Sequence, residues 1–387
     1  MPNNGPLAGI RIIDITSYVF GPVATQMLGD MGADVIKIEP PQGDYTRYVG
    51  RGGERLMGSF FLNLNRNKRS VVLDLKQEED RGTLRRLLGT ADVFLHNMRD
   101  SAVEKLGLTY GHLKSSHPRL VYAAAQGFGS GGRYEGRPAY DDVIQGFSGI
   151  SGMNERMTGA AGFVPMLMTD KICGLYLAYA VTAALMHRAS TGKGQLVQVP
   201  MFESTVAFNL YEHMADAVFA PADGHEAAPL GYGRVFGSLH RPLKTQDGFI
   251  CVVANTDQQW QRMFEVFGQP EVMQDPRFAQ ANNRTENIAA LYEAVESALS
   301  RRPTSEWLAL LEAADIPAGP SNGLQDLRHD PHLKDTGFFV AYEHDTEGRL
   351  TMPRPPIVMS ESPAEIRLGP PRLGQHTQEV LAEIPNP

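Results

Sequence analysis

The sequence predicts an α/β protein built on a parallel sheet with helices on both faces. Through the first two hundred residues, short runs of β-forming side chains alternate with helical segments, and strands separated by helices form βαβ units. The chain has 387 residues, of which 42% are hydrophobic and 21% are charged. That length exceeds the usual size of a single hydrophobic core. We therefore expect either two domains or one elaborated domain.

The predicted elements follow one another closely in this part of the chain. Apolar runs rich in isoleucine, valine and leucine predict the strands, and amphipathic or apolar stretches predict the helices. The predicted strands are residues 10–15, 35–39, 70–75, 93–96 and 120–125, and the predicted helices are residues 23–31 and 78–88. Ligands of parallel sheets bind beyond the C-terminal ends of the strands. Residues 16–21, 40–45 and 96–100 fall at such ends, so we expect a ligand site there.

A long apolar run at residues 172–186 predicts a helix that closes at the basic Arg188 and at Gly192. Asp170 would lie in its first turn, where free backbone N–H groups and the helix dipole keep a carboxylate ionised. An ionised, positioned carboxylate can act as a nucleophile toward an activated acyl group. The alternative is that Asp170 or Thr169 merely caps the helix. The run is shorter than the roughly 20 residues that span a membrane.

The character of the chain changes near residue 220, where a polar loop begins. We expect residues 1–220 and 330–387 to form a large domain and residues 221–329 to form a smaller α/β domain. The elements predicted for the smaller domain are a strand at residues 249–254 and helices at residues 258–267, 284–300 and 304–314. The proline-rich tail is expected to run extended before a short helix at residues 377–384.

Composition argues against several classes of protein. Two cysteines, Cys173 and Cys251, cannot form a disulfide framework and indicate a reducing, cytoplasmic location. The N-terminal residues lack the basic and apolar regions of a signal peptide. A net charge of −8 gives no sign of a nucleic-acid partner. Neither H-x-x-x-H nor C-x-x-C spacing occurs, so we expect no metal site. From the net charge and the short apolar run we expect neither nucleic acid nor a membrane as partner.

A glycine-rich segment satisfies the G-x-G-x-x-G pattern from Gly127 to Gly132, directly after a predicted strand. The residues that follow, 133–138, cannot open the helix that a dinucleotide site requires. We therefore expect a flexible loop over an active site rather than an NAD site. The chain has no G-x-S-x-G motif, which argues against a serine hydrolase.

Basic residues lie near the ends of the predicted strands. Arg66, Lys68 and Arg69 form an ordinary solvated charge cluster or, alternatively, receive the phosphates of an anionic ligand together with the other basic residues. The whole set is Lys37, Arg66, Lys68, Arg69, Lys76, Arg99 and Lys105.

Ordered motifs from about residue 7 to residue 382 carry a family resemblance. They include D-I-T at 14–16, G-P at 21–22, G-A-D-V-I-K-I-E-P at 32–40, N-R-N-K-R-S at 65–70, Y-D at 140–141, T-G-K-G-Q at 191–195 and L-G-Q-H-T at 373–377. In these motifs the chain resembles the class III CoA-transferases. That family includes formyl-CoA transferase and carnitine CoA-transferase, and also the α-methylacyl-CoA racemases.

The resemblance implies a fold and a chemistry. Family members have a Rossmann-like large domain built from both ends of the chain, a smaller domain between, and an interlocked homodimer. Asp170 matches the family nucleophile, which forms a mixed anhydride with the donor acyl group and then an aspartyl-CoA thioester. The resemblance also implies Tyr140 and Asp141 as catalytic residues. No tightly bound cofactor is expected, because coenzyme A or acyl-CoA is a substrate, together with a carboxylic acid.

The resemblance also implies contacts with CoA at particular positions. They are Tyr18, Val19, Phe20, Leu73, Lys76, Asn97, Met98, Arg99, Lys105, Arg137, Tyr140 and Met201. Two departures from the family pattern stand out. Pro40 occupies a position where formyl-CoA transferase has a basic residue, and the glycine-rich loop of that enzyme has its nearest counterpart at residues 231–233.

Transferases and racemases of the family share the aspartate but differ at one position. Racemases place a histidine immediately before the position of Asp141, whereas this chain has Tyr140. A phenol with a pKa of about 10 exchanges protons poorly near neutrality, so the sequence favours a transferase. A racemase or acyl-CoA isomerase, and a non-catalytic CoA-binding homologue, are the alternatives. The intact Asp170 argues against the last of these.

Overall fold

Six parallel strands form the largest sheet of the protein. They are β1 (Arg11–Asp14), β2 (Asp34–Glu39), β3 (Lys68–Val72), β4 (Val93–His96), β5 (Val121–Gln126) and β6 (Leu196–Pro200). Their order is β3-β2-β1-β4-β5-β6, and every neighbouring pair is parallel. Dinucleotide-binding folds have this order, and their ligands bind where it reverses. The predicted α/β class is therefore confirmed, and β1 and β4 flank the reversal.

The computed structural model describes residues 4–237 and 240–384. The chain divides into two compact units. The larger comprises the described parts of Met1–Asn154, Ala161–Tyr211 and Asp335–Pro387, and the smaller comprises those of Glu155–Ala160 and Glu212–Lys334. The domain boundaries expected from the sequence, at residues 220 and 330, stay a prediction about independently folding domains.

Helices connect the strands of the large sheet and continue beyond it. They are α1 (Phe20–Asp30), α2 (Ser59–Leu64), α3 (Glu78–Leu88), α4 (Asp100–Lys105), α5 (Tyr110–Leu113), α6 (Asp141–Phe147), α7 (Ile150–Thr158), α8 (Met168–Thr191) and α9 (Met201–His213). The prediction for residues 78–88 matches α3 to the residue. The first helix begins at Phe20, three residues before the predicted start.

The two faces of the sheet carry separate apolar cores, because successive side chains of a strand point to opposite faces. Ile12 packs with Leu28 of α1 and Leu177 of α8 on one face. Its neighbour Ile13 packs with Leu84 of α3 on the other. Strands buried on both faces consist of continuous apolar runs, which is why they could be predicted from the sequence.

Helix α8 extends beyond both ends of the predicted segment 172–186. Gly192 adopts a φ of 75° immediately after it, and its N–H donates to the carbonyl of Arg188. This is the left-handed cap that a glycine favours. Among the described residues, α8 is the helix that is apolar and long enough to cross a membrane by length and composition. A core helix meets the same criterion, and Leu177 and Val181 are fully buried.

The smaller unit has its own sheet and core. Its antiparallel strands are β7 (Leu243–Lys244), β8 (Phe249–Val252) and β9 (Ala318–Pro320). Its helices are α10 (Asp257–Val266), α11 (Ala281–Glu286), α12 (Ile288–Leu299), α13 (Thr304–Ala313) and α14 (Pro331–Asp335). Phe264, Leu291 and Trp307 are buried among these elements. The single helix predicted at residues 284–300 is instead two helices, which Asn287 separates.

The C-terminal part returns to the larger unit. A hairpin that was not predicted from the sequence, β10 (Phe339–His344) with β11 (Gly348–Pro353), precedes the proline-rich segment. The segment from 354 to 376 has neither helix nor strand. The last helix, α15 (Thr377–Ala382), buries Val380 in the same core as α3.

Candidate active site

A cavity of about 200 Å³ lies at the C-terminal edge of the six-stranded sheet, where the strand order reverses. It is lined by residues 17–20 after β1, 97–100 after β4, 125–128 at the end of β5, 136–140, Asp170 and Met201. The cavity brings together most of the positions implied by the family resemblance. These are Tyr18, Val19, Phe20, Asn97, Met98, Arg99, Arg137, Tyr140, Asp170 and Met201.

Three of the implied CoA contacts do not line this cavity. Leu73 is buried in the core beneath α3, whereas Lys76 and Lys105 are exposed. Pro40 is also exposed, at the end of β2. Residues 231–233, the candidate glycine-rich loop, belong to the smaller unit. Contacts of these residues with CoA stay predictions.

Asp170 is the third residue of α8, as the sequence predicts. It does not cap the helix, because Leu167 is the N-cap residue and no side chain of α8 supplies the cap. Asp141 takes that role from α6. Its Oδ1 accepts hydrogen bonds from the Asp170 backbone N–H at 3.0 Å and from the Thr169 hydroxyl at 2.8 Å. The interpretation of Asp170 or Thr169 as the cap is therefore wrong.

Asp141 is itself held in place by its own helix. Gln145, one turn along α6, donates from Nε2 to Asp141 Oδ2 at 2.6 Å. The Gln145 Oε1 accepts from the backbone N–H of Val164 at 2.9 Å. Both carboxylate oxygens of Asp141 are therefore occupied. Within the described parts of the chain, no donor is hydrogen bonded to the carboxylate of Asp170, which leaves it available to a ligand.

The environment of Asp170 favours its protonated form. Burial, and secondarily the negative charge of Asp141, raise the pKa of Asp170 to about 7. The expectation that the helix N-terminus keeps this carboxylate fully ionised therefore needs correction. Desolvation and a neighbouring like charge outweigh the field of the helix dipole. Near neutral pH the side chain is divided between its two protonation states.

Cys173 lies one turn after Asp170 but does not share its chemistry. Its Sγ is fully buried and contacts the carbonyl of Met201 at 3.6 Å and the hydroxyl of Thr205 at 3.8 Å. Burial raises the pKa of the Cys173 thiol to about 12. Because the thiolate is the reactive form of cysteine, Cys173 is not a competing nucleophile.

The wall of the cavity next to β1 contains a strained residue. Tyr18 has a φ of 67°, in the left-handed region that a bulky residue rarely adopts. Such a conformation costs about 1–3 kcal/mol and persists where surrounding structure enforces it, often at ligand sites. The Tyr18 ring lies 5.5 Å from the rings of both Tyr45 and Tyr140. Of these three tyrosines, Tyr18 and Tyr140 line the cavity.

Four of the basic residues considered as phosphate ligands bind carboxylates of the protein instead. The pairs are Lys37–Asp44 at 2.9 Å, Arg66–Asp30 at 2.7 Å, Lys68–Asp14 at 3.4 Å and Arg69–Asp34 at 2.7 Å. Lys37 and Lys68 are fully buried. The four residues are therefore not available to a ligand, and Arg66, Lys68 and Arg69 are not a solvated cluster. Both interpretations of these residues were wrong. Arg99 and Arg137 line the cavity and are exposed.

Some residues of the site were missed or given no role in the sequence analysis. Gln145 was given no role, although its position four residues after Asp141 places the two on one helix face. Tyr45 belongs to the segment 40–45 that was expected near a ligand, but it was given no role of its own because its contact with Tyr18 joins two loops. Phe128 lines the cavity from the glycine-rich segment. The i, i+4 spacing was a signal for Gln145, and the glycine-rich pattern was a signal for the segment that contains Phe128.

Comparisons with known proteins agree along the whole chain. A model of CoA-transferase family III matches residues 7–377. The succinate–glutarate CoA-transferase of Agrobacterium fabrum is 32% identical over 392 residues, which cover 99% of this chain and 97% of that protein. The acetyl-CoA:oxalate CoA-transferase of Acetobacter aceti is 33% identical, with 99% and 97% covered. A crystal structure of a CAIB/BAIF family protein from Brucella suis has a TM-score of 0.82 at 32% identity, covering 99% of this chain and 100% of that one.

Proposed function

Because the chain belongs to CoA-transferase family III and is a class III CoA-transferase, we propose that it transfers CoA from an acyl-CoA to a free carboxylic acid through acyl intermediates on Asp170. One observation carries the proposal. The carboxylate of Asp170 lies in the wall of the cavity at the sheet reversal and has no hydrogen-bond donor among the described residues.

The proposed reaction has four steps, each a substitution at a carbonyl carbon. The ionised Asp170 attacks the donor thioester, so that a mixed anhydride forms and CoA leaves as a thiolate. The thiolate attacks the aspartyl carbonyl, which releases the donor acid and leaves an aspartyl-CoA thioester. The acceptor carboxylate attacks this thioester and again displaces the CoA thiolate. The thiolate then attacks the acceptor acyl carbon, and Asp170 is regenerated.

The raised pKa of Asp170 fits this role. A carboxylate that is partly desolvated loses less hydration when it attacks than one in open water. In the proposed mechanism Asp141 orients the first turn of α8 through the Asp170 N–H. The negative charge of Asp141 also disfavours the ionised form of Asp170 in the free enzyme. The proposed part of Tyr140, at the mouth of the cavity, is to contact the substrate near the reacting carbon.

The cavity lining supports binding of a long anionic thioester. Exposed Arg99 and Arg137 offer guanidinium groups suited to phosphates. Apolar side chains at Phe20, Met98 and Met201 suit the pantetheine arm. We propose that CoA also contacts Tyr18, Val19, Asn97 and, outside the cavity, Leu73, Lys76 and Lys105. No tightly bound cofactor is needed for this chemistry.

A transferase is favoured over a racemase or isomerase. A racemase requires acid–base groups on the two sides of the α-carbon, and a histidine suits that task near neutrality. None of the described residues that line the cavity is a histidine. The relatives described above are named as transferases that act with glutarate or oxalate. We propose small dicarboxylic acids as acceptors, with succinyl-CoA as a donor to test first.

We also propose that the enzyme is a cytoplasmic homodimer, interlocked as in its family. The surface of α8 and α9 leaves large apolar side chains exposed, and such patches mark protein interfaces. Their exposed fractions are 57% for Leu175, 73% for Tyr179, 71% for Met186 and 77% for Tyr211. A cytoplasmic location agrees with the two free cysteines.

A transfer assay tests the proposal. The purified protein is incubated with succinyl-CoA or acetyl-CoA and a panel of carboxylic acids, and products are identified by mass. We expect at least one new acyl-CoA, formed with release of the donor acid and lost in Asp170→Ala. A parallel calorimetric titration should detect CoA but no NADH. Tight binding of NADH without binding of CoA would contradict the proposal, as would racemisation of a 2-methylacyl-CoA without transfer.

A further inference from the structure

The turn that follows β1 has to be held in an unfavourable backbone conformation. Tyr18 adopts a φ of 67° within this turn, residues 16–20, which joins β1 to α1. Four of its five residues, from Ser17 to Phe20, line the cavity. A tyrosine without such restraint prefers a negative φ, so other parts of the protein must hold Tyr18 in this conformation.

On the side of β2, a buried ion pair contacts the backbone of the turn. Lys37, in β2, donates from Nζ to the carbonyl of Thr16 at 2.8 Å and to Asp44 Oδ2 at 2.9 Å. The other oxygen of Asp44 accepts from the N–H of Thr46 at 2.9 Å and, at 3.5 Å, faces the N–H of Tyr18. The pair therefore meets the backbone at residues 16 and 18, on both sides of Ser17.

On the side of β4, an uncharged side chain hydrogen bonds to the same turn. The Asn97 amide accepts from the N–H of Ser17 at 3.1 Å and donates to the carbonyl of Ser17 at 2.8 Å. The Thr16 N–H and hydroxyl both donate to Asp14 Oδ1. Three sets of side chains thus bind the turn. Among the described residues, only the Lys37–Asp44 pair places a charged group next to the backbone of Tyr18.

The charges of this pair cannot serve a ligand. Lys37 has no exposed surface and Asp44 is 3% exposed, and neither lines the cavity. A buried ion pair is also a poor source of stability, since apolar residues of similar volume often replace one without loss. What the pair supplies is a restraint on position, because a charge-assisted hydrogen bond from Lys37 fixes the Thr16 carbonyl and the Asp44 carboxylate lies 3.5 Å from the N–H of Tyr18.

We propose that Lys37 and Asp44 are positioning residues that hold the Tyr18 turn in its left-handed conformation and thereby set the affinity for CoA. The CoA half of this statement rests on the proposed function. The pair acts through the backbone of residues 16 and 18 and touches no substrate. Its loss should therefore weaken the binding of CoA more than it slows the chemistry at Asp170.

The double variant Lys37→Met/Asp44→Asn tests the inference. It removes both charges together and changes neither residue of the neighbouring Lys68–Asp14 pair. We expect the calorimetric Kd for CoA to rise at least about tenfold, because small displacements of a binding turn have large effects. The KM for acyl-CoA should rise in parallel while kcat falls less. In a crystal structure, Tyr18 should return to negative φ.

Arg66→Met/Asp30→Asn is the matched control. This pair is also buried, at 2.7 Å, but hydrogen bonds to no residue of the Tyr18 turn. It should lower Tm while the Kd for CoA stays within about twofold. If the first double variant does not fold, Asp44→Asn alone keeps an acceptor oxygen for Thr46 and removes the ion pair, while the Lys37 charge still faces Asp14 and Glu39. It should show the same displacement of Tyr18 and a smaller rise in Kd.

The two proposals fail in different ways. A wild-type protein that binds no CoA would contradict the proposed function. Equal binding of CoA by the wild type and the folded double variant, with Tyr18 still at positive φ, would overturn only the positioning role. The conformation of Tyr18 decides the structural half of the inference whatever ligand the cavity takes.

Discussion

Two opposing influences act on the carboxylate of Asp170. Its place in the first turn of α8 favours the charged form, whereas burial and the nearby Asp141 favour the protonated form. The second influence prevails. The sequence predicted the place, because a helix start can be inferred from an apolar run. It did not predict the pKa, since Asp141 lies 29 residues away and meets Asp170 only through the tertiary fold.

The first prediction concerns the pH dependence of transfer. Because the ionised carboxylate is the nucleophile, kcat/KM should rise with pH and level off above about pH 7, the pKa of Asp170 in the free enzyme. Asp141→Asn removes the like charge but keeps an acceptor oxygen, so the inflection should move to lower pH. A stopped assay across pH 5–9 measures both profiles. An inflection that Asp141→Asn leaves in place would show that another group controls the rate.

The second prediction links the same residue to stability. Asp170 has a pKa of about 7 in the folded protein, above the ordinary aspartate pKa of 3.8. The native state therefore binds the proton more tightly, and the stability that this confers is lost as pH rises from about 4 to 7. Asp170→Asn has no such loss. Its Tm should equal that of the wild type near pH 4 and exceed it at pH 8.

Thermal unfolding at several pH values checks this prediction. Glu306→Gln, at an exposed position of α13 in the smaller unit, serves as a control that should follow the wild type. A constant difference in Tm between wild type and Asp170→Asn at all pH values would contradict a raised pKa.

At the scale of elements, the close packing of α8 against α1 positions the proposed nucleophile. Gly174 makes this approach possible, since a Cβ there would lie 2.8 Å from Val23 Cγ1 and 3.2 Å from the carbonyl of Phe20. Phe20 itself lines the cavity. Helix packing in the core therefore determines how far Asp170 lies from the β1 wall of the site.

The third prediction is that Gly174→Ala separates these helices. It should destabilise the protein by about 1–3 kcal/mol, as overpacked cores do, and reduce transfer because Asp170 moves with α8. Gly82→Ala is the matched control, because its Cβ in α3 would meet nothing within 4 Å. That change should stabilise the protein by about 0.5–1 kcal/mol. Urea unfolding and the transfer assay measure both effects, and equal behaviour of the two variants would contradict the account.

Strands that are buried on both faces could be predicted from the sequence. β1, β2, β4 and β5 have mainly apolar interiors, and each was predicted within one or two residues of its bounds. β6 and the hairpin β10–β11 were missed because many of their residues are exposed and no apolar run marks them. The order of the strands was not predictable, since it depends on pairings between distant segments.

At the scale of the whole molecule, the apolar surface of α8 and α9 leads to the fourth prediction. Light scattering should give twice the 42.5 kDa of one chain, and dissociation should accompany unfolding. Tyr179→Glu/Tyr211→Glu places charges on this surface and should lower the association. Leu324→Glu, at an equally exposed position of the smaller unit, should not. A monodisperse wild-type monomer at micromolar concentration would contradict the dimer.

The general place of the site was predictable at this scale, but its composition was not. Parallel α/β sheets bind ligands at the C-terminal edge, and residues 16–21 and 96–100 fall there in the structure. The buried partners of Lys37 and Lys68 reversed the expectation for the basic residues. A sequence shows which charges a chain carries, whereas only the fold shows which of them are already paired.

The most direct test of the central claim, an acyl group carried by Asp170, is chemical trapping. Wild-type enzyme is mixed with donor acyl-CoA during turnover, hydroxylamine or borohydride is added, and peptides are analysed by mass spectrometry. Anhydrides and thioesters react with both reagents, so the peptide containing Asp170 should be modified at that residue. The modification should require acyl-CoA and be absent from Asp170→Asn. A label on another residue, or substantial transfer by Asp170→Ala, would contradict the mechanism.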